Sequence, residues 1–467
     1  MKAPPGSDAG RTLLHLGLGS FHRAHQAVYL HHLREAGDRS WSIVAGNIRA
    51  DMESTAAALM AQDGEYTLET VTPAGERRYE RITSIREVVP FDPALSRLIE
   101  VGSIAATPII SFTVTEAGYY LGTDNRLDLS HAVLRDDLEG RSCGTIYGAV
   151  GAILRQRMQR GGGPVTLLNC DNLRSNGARF RAGLLDFLWR RRETSLRDWV
   201  ELNTSSPASM VDRITPRPSA DVAARVKAAT GRDDGASVMA ESFIQWVVED
   251  RFVAGRPAWE KVGVEMVDSV HAHEEAKIRI LNATHAGVAW AGTLRGLSFI
   301  HEDMAVPAIQ QMAWSYITDD AIPCLDTAGH PSPIDLTAYR DVVLERFGNP
   351  FVRDTNQRVA MDGFSKIPGF IVPTLRECIA RGRPMPSTAM LPALFFAVLQ
   401  RWHAGQLAYE YQDGVMDAAA VHSVFAAADP VLAFCRDPSL WADLAGNEAL
   451  VSAVREAQAR VTAFARG

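Results

Sequence analysis

Residues 12–33 read TLLHLGLGSFHRAHQAVYLHHL, and their order decides the fold class. Residues 12–16 are a short apolar run with the character of a strand. Gly17-Leu18-Gly19-Ser20-Phe21-His22-Arg23 follow at once, and Val28, Tyr29, Leu30 and Leu33 then keep a helical rhythm. Strand, GxG turn and helix in succession are how a dinucleotide site begins, because the glycines let the backbone approach a pyrophosphate at a helix N-terminus. His22 stands where the usual fingerprint has its third glycine, so the helix must pack on the strand differently here. A lone GxG also marks an ordinary tight turn. The strand before it and the helix after it favour the nucleotide reading.

Outward from this stretch the same alternation continues. Residues 41–45 form a second strand and run into Gly46-Asn47-Ile48-Arg49. An acidic residue ending this strand normally binds the adenosine ribose of NAD. None is there; Asp51 and Glu53 come later, and Arg49 can instead meet a 2′-phosphate, so the residues leave NAD and NADP both open. Residues 63–85 read as an inserted hairpin. Residues 108–115, PIISFTVT, are a buried strand ending in Thr115-Glu116-Ala117-Gly118-Tyr119. A helix over 146–158 is broken by Gly161-Gly162-Gly163-Pro164, and the strand over 165–168 ends in Asn169-Cys170-Asp171-Asn172. Polar clusters at carboxyl ends of strands lie where open α/β sheets bind ligands. Turn and cap chemistry is the alternative reading of the same residues. Two nearby asparagines can instead hold a cofactor carboxamide and a substrate oxyanion. The prolines of residues 210–216 make that stretch a loop, and 243–248 and 262–267 are further strands. The alternation predicts a mainly parallel sheet up to about residue 270. Helical periodicity takes over from residue 271, clearest over 304–317, 336–347 and 391–403.

Residues 274–290, EEAKIRILNATHAGVAW, read as an apolar helix into which Lys277, Asn282 and His285 are set. At helical pitch Asn282 lies about 140° and His285 about 80° around the axis from Lys277, so the three share one broad sector. Glu274 sits one turn before the lysine. Burial disfavours the charged form of a lysine, and a lysine brought towards neutrality can act as a general base. An amide and an imidazole beside it can hold and polarise a substrate oxygen. An amphipathic helix with a snorkelling lysine and a satisfied histidine fits the same pattern. Further on, Arg358 and Lys366 flank a glycine-containing turn, placed to bind several hydroxyls or simply to be solvated.

Bulk properties exclude several classes. At 467 residues the chain is long enough for two or three domains, and 46% apolar with 22% charged residues is ordinary globular composition. A net charge of −7 and the lack of basic runs argue against a nucleic-acid partner. The five scattered cysteines form no CxxC pair, which suits reduced thiols in the cytoplasm rather than disulfides or zinc. The first ten residues look like a loose tail without the apolar core of a secretory signal. The apolar run 391–399 is too short to span a bilayer. His31 and His32 are expected on an exposed face of the first helix, and residues from 405 onward as a helical cap.

GLGSFHRAH (17–25), TVTEAGYY (113–120), NCDN (169–172), VDRITPRP (211–218), EEAKIRILNATH (274–285) and DGFSKIP (362–368) together resemble the polyol-specific long-chain dehydrogenases, the mannitol dehydrogenase family. Within it, AGNIR (45–49), FIQWVVED (243–250), DTNQRVAMDGFSKIP (354–368) and AMLPALFF (389–396) are nearest to members acting on D-arabinitol. The resemblance covers nearly the whole chain. It implies an α/β protein with an N-terminal Rossmann-like domain (1–270), a mostly α-helical C-terminal domain (271–467), an active site between them and no metal. It implies NAD-dependent oxidation of D-arabinitol to D-xylulose and the reverse, with mannitol 2-dehydrogenase or another polyol or sugar-acid oxidoreductase as the alternative. The partner is then a polyol or ketose, with no nucleic acid or membrane, and such enzymes can be monomers. By the same resemblance Lys277 is the general base, Asn172 and Asn282 the oxyanion donors, His285 the substrate-positioning imidazole and Glu274 the proton relay. Asp212, Arg358 and Lys366 match substrate-binding positions. Gly17, Gly19, Ser20, Phe21, Arg23, Thr115, Glu116 and Asn169 fall to the cofactor. Asn169 and Asn176 lie close enough to Asn172 to compete for its role.

Overall fold

The computed structural model describes residues 10–122, 126–216 and 219–464, with Glu116 and residues 462–464 described by backbone alone. Apart from Gly10, the expected loose tail lies outside the described residues. The chain forms two compact units, one running to Thr72 and resuming over Glu76–His271, the other comprising Pro73–Gly75 and Ala272–Gly467.

The first unit carries β1 (Arg11–Leu16), β2 (Trp41–Gly46), β3 (Tyr66–Val71), β4 (Arg77–Ile82), β5 (Ile85–Val89), β6 (Ile109–Phe112), β7 (Val165–Asn169), β8 (Thr204–Ser205), β9 (Ser209–Asp212), β10 (Val238–Glu241), β11 (Gln245–Glu249) and β12 (Glu265–Val267). The main sheet has the order β5-β2-β1-β6-β7-β8, and every neighbouring pair is parallel. This is the doubly wound order whose chain reverses direction across the sheet between β1 and β6. Its strands are buried at nearly every position because both faces are covered. Leu13, Ile43, Ile109 and Leu168 face one core, and Leu14, Val44, Ile110 and Leu167 the other.

The expected hairpin is present as antiparallel β3 and β4, but the expectation of a mainly parallel sheet to residue 270 is only partly met. The main sheet ends at Ser205. Beyond it, β10 joins β3 in a small sheet, and β9 pairs antiparallel with β11, which carries β12 in parallel. The stretch read as a proline loop begins as β9, since its first proline, Pro216, comes only after Met210, Val211 and Asp212 have paired with β11. Residues 259–262 form a 3₁₀ turn, so only the end of the strand expected over 262–267 is extended. The helix after the glycine loop is broken in two, Ser20–Ala24 and Gln26–Glu35, at His25, whose ring Nε2 donates to the Gln245 carbonyl at 2.8 Å. His31 is buried rather than exposed: its ring lies 3.2 Å from Thr83 Oγ1 and 3.5 Å from Glu80, a pairing set by the hairpin that local periodicity does not reveal.

The second unit is helical. Its central helix, Ala283–Arg295, packs against Pro386–His403 so closely that a Cβ at Gly287 would lie 2.4 Å from Leu391 Cδ2. The Trp290 ring lies tilted against that of Phe395, 4.9 Å between centroids, and donates from Nε1 to the Ala360 carbonyl at 3.0 Å. That bond ties the helix to the segment bearing Arg358 and Lys366. Glycine at 363 is likewise dictated by packing, as a Cβ there would fall 2.1 Å from the fully buried Phe395 ring. Among the described residues no helix is long and apolar enough to cross a membrane.

The same core buries one carboxyl. Asp303 is fully buried against Gly292, accepts from Asn356 Nδ2 at 2.9 Å through Oδ1, and has no partner for Oδ2 among the described residues. Burial pushes its pKa up to about 8. Between its unfolded value of about 3.9 and this folded value, the native state holds a proton that the unfolded chain has released. Stability from this group is therefore present below pH 4 and declines as pH rises towards 8. Asp303→Asn, neutral throughout, is expected to gain melting temperature relative to the parent progressively from pH 5 to pH 8. A difference that stays flat across that range in thermal scans would show that Asp303 is ionised in the fold.

Candidate active site

Three neighbouring strands of the main sheet carry the expected nucleotide-binding positions at their carboxyl ends. Gly17 and Gly19 follow β1, Thr115 and Glu116 follow β6, and Asn169 closes β7. Gly17 has φ +140°, a conformation that side-chain-bearing residues rarely adopt, and its N–H donates to Gly46 at 2.8 Å. A Cβ on Gly19 would meet nothing within 4 Å, so the loop's outer edge is open to an approaching ligand. Ser20 and Phe21 are half-buried at the start of the short helix, and Thr115 is exposed at the start of the 3₁₀ turn Glu116–Tyr119. The side chain of Glu116 lies outside the described residues.

Arg23 is buried beneath the loop instead of at its mouth. Nε donates to the Leu18 carbonyl at 3.2 Å, Nη1 bonds the Ala236 carbonyl, and the guanidinium lies over the Tyr66 ring. In place of the missing third glycine, the His22 ring lies flat on that of His15 of β1, 3.4 Å between centroids. Both imidazoles are fully buried, and desolvation pulls both well below the ordinary histidine range, so both stay neutral. A planar ring laid parallel to its neighbour solves the close approach that glycine solves elsewhere.

The three competing asparagines are separated by their partners. Asn176 is saturated by backbone: Nδ2 donates to Asp171 and Ser209 carbonyls, and Oδ1 accepts from Gly177 and Ser209 amides. Asn169 is buried, and its Nδ2 donates to Tyr119 Oη at 2.6 Å, which itself donates to Asp171 Oδ2 at 2.5 Å. Its Oδ1 has no partner among the described residues. A buried, unpaired acceptor at the carboxyl edge of the sheet suits the amide donor of a nicotinamide carboxamide. Asn172 is exposed in the loop beyond β7, and Asp212 is buried as the last residue of β9.

The second unit holds the other group. The stretch expected as one regular helix is His271–Ala276, then a π-helical turn Lys277–Asn282, then Ala283–Arg295. The Ala283 N–H reaches back five residues to the Ile278 carbonyl. An i→i+5 repeat sets Lys277 and Asn282 one turn apart on the same side, closer together than the 100° pitch implies. Lys277 and Glu274 are both buried, at 8% and 5% exposure; Asn282 and His285 are half-buried.

His285 stacks on Phe347 at 4.6 Å, with Nε2 3.4 Å from Asp354 Oδ2. Burial lowers its pKa against the opposing pull of Asp354, keeping the imidazole neutral at pH 7. Asp354 also accepts from Arg358, Nε to Oδ1 at 2.8 Å and Nη2 to Oδ2 at 2.5 Å. Burial raises the Asp354 pKa, but His285 and Arg358 more than offset this and hold it well below the carboxylate range. Lys366 donates from Nζ to the Val359 and Met361 carbonyls at 2.7 and 2.6 Å, and burial brings it down to about 8. Within this unit the fold thus joins His285 to Arg358 through one carboxylate.

Comparison with known proteins places this geometry. The model of the mannitol dehydrogenase Rossmann domain matches residues 11–261, and that of the mannitol dehydrogenase C-terminal domain matches residues 269–462. The chain belongs to the mannitol dehydrogenase family. It is 61% identical to a D-arabinitol 4-dehydrogenase of Ralstonia nicotianae, over 97% of each chain. A D-arabinitol 4-dehydrogenase of Klebsiella pneumoniae is 56% identical, over 96% of this chain and 98% of that one. Among solved structures, Pseudomonas fluorescens mannitol 2-dehydrogenase in ternary complex with NAD and D-mannitol superposes with a TM-score of 0.84 at 32% identity, covering 99% of this chain and 95% of that one.

For this member of the mannitol dehydrogenase family, sequence reasoning passed over Asp354, Tyr119 and Asp171. Asp354 lay in plain view four residues before Arg358, the spacing of a helical ion pair. Tyr119 and Asp171 stood inside quoted motifs. Their link to Asn169 depends on β6 and β7 being neighbours, which spacing along the chain does not convey.

Proposed function

We propose that this chain catalyses NAD-dependent oxidation of D-arabinitol to D-xylulose, and the reverse, without a metal. What carries the reading is Lys277, buried on the turn that also bears Asn282, in a chain most of whose length aligns with D-arabinitol 4-dehydrogenases. Lys277 in its neutral form takes the proton of the reacting hydroxyl. The nicotinamide, when bound, accepts the hydride from the carbinol carbon. Asn172 and Asn282 donate to the oxygen as negative charge develops on it. His285, held neutral, positions that oxygen, and Glu274 passes the proton on towards solvent. Asp212, Arg358 and Lys366 bind the remaining hydroxyls. Gly17, Gly19, Ser20 and Phe21 receive the pyrophosphate on a loop that Arg23 braces, while Thr115, Glu116 and Asn169 serve the nicotinamide side. We place the enzyme in the cytoplasm, where five free cysteines stay reduced.

The test is NADH formation by the purified chain, with chelator present, on D-arabinitol, D-mannitol, D-sorbitol, xylitol and ribitol in parallel, with NADP beside NAD. Preference for D-arabinitol with NAD is expected. Preference for D-mannitol would keep the mechanism and overturn the substrate. No turnover of any polyol would remove the claim of Lys277 to be a base.

A further inference from the structure

The π turn leaves one backbone acceptor without its usual donor. The Ala283 N–H donates to Ile278, five residues back. Once the ladder returns to i→i+4 spacing, the N–H of Thr284 points to Ile280, and the carbonyl of Arg279 is passed over. A buried carbonyl left unpaired is costly, and a turn that creates one needs a donor from elsewhere. Tyr316 supplies it: its hydroxyl donates to the Arg279 carbonyl at 2.8 Å, and the residue is fully buried. The donor is itself the first residue of a second π turn, Tyr316–Ala321. The Arg279 side chain reaches a third such region, donating from Nε to Thr374 Oγ1 at 2.9 Å and from Nη1 to Glu377 Oε1 at 2.8 Å, on the helix that follows the π turn Ile367–Ile371. Tyr316 lies outside the motifs through which the site was read, and Arg279, though inside one of them, was given no role there.

We propose that Tyr316 is a positioning residue for the reaction: its hydroxyl replaces the missing backbone donor at Arg279 and so holds the π turn that sets Lys277 and Asn282 on one side of their helix. This rests on the reading of Lys277 as the base. Without that donor the turn can relax towards regular helix, where Lys277 and Asn282 diverge around the axis. Burial keeps the Tyr316 hydroxyl protonated, well above the ordinary tyrosine range, so the donor persists at every pH at which the enzyme works.

Tyr316→Phe removes one oxygen and leaves the ring in place. Two readouts on the full chain decide the matter. By amide hydrogen exchange, the peptide covering residues 278–284 is expected to exchange about fivefold to tenfold faster, with other core peptides unchanged. In kinetics on D-arabinitol with NAD, kcat is expected to fall roughly tenfold to hundredfold while KM and NAD affinity hold, the scale of a displaced catalytic group. The acidic limb of the kcat/KM profile is expected to move to higher pH, as a lysine gaining water keeps its proton more firmly. Unchanged exchange over 278–284 would overturn the proposal. So would faster exchange with kcat and pH profile intact, which would make Tyr316 merely structural. A parent chain that oxidises no polyol would defeat the functional reading instead, and exchange alone would then decide whether Tyr316 holds the turn.

Discussion

Lys277→Ala is expected to lower turnover by roughly a thousandfold to ten-thousandfold, with the dissociation constant for NAD essentially unchanged. The magnitude is that of a positioned general base near the top of its range. The asymmetry follows from where the residue lies. Lys277 belongs to the helical unit, whereas Gly17, Gly19 and Asn169, the positions proposed to bind the nucleotide, are held by the strands of the other. Lys277 is buried at 8% exposure and one turn after Glu274, and the proposed role for it is to exchange a proton and not to hold the cofactor. Steady-state kinetics with a fluorescence titration of NADH separates the two quantities. An alanine variant that keeps its activity and its pH profile would remove Lys277 from the mechanism.

Asn282→Ala carries the second large effect. Loss of one preorganised donor to a developing oxyanion costs about 3 kcal/mol, or roughly a hundredfold in kcat. Asn282 ends the π turn, half-buried, with Lys277 one turn before it. The loss should appear in kcat and kcat/KM together, because the donor acts on charge that exists only in the transition state. A rise in KM alone, with kcat retained, would instead make Asn282 a ground-state contact. Asn172→Ala is expected to behave in the same sense.

These expectations rest on features that were unequally legible. The strand, glycine loop and helix of residues 12–33 could be read because each depends on neighbours a few positions away. The apolar runs that became β1, β2, β6 and β7 were legible for the same reason. Lys277, Asn282 and His285 stood out because three polar side chains interrupt an otherwise apolar stretch.

What the sequence by itself determined is therefore the order of elements, the doubly wound class of the first unit, the helical class of the second, and the residue types at the ends of the strands. The tertiary structure alone decided which of those residues are available. Asn176 lost its claim to backbone groups around Ser209, thirty-three positions on, while Asn169 kept a free acceptor. Arg23 sank beneath its loop onto the Ala236 carbonyl, and His22 took a glycine's place by stacking on His15. The π turn formed where a tyrosine thirty-seven positions away could satisfy the carbonyl it strands. Periodicity reports which face of a segment is apolar. It carries no record of which distant donor or acceptor will meet that face, and burial makes such partnerships obligatory.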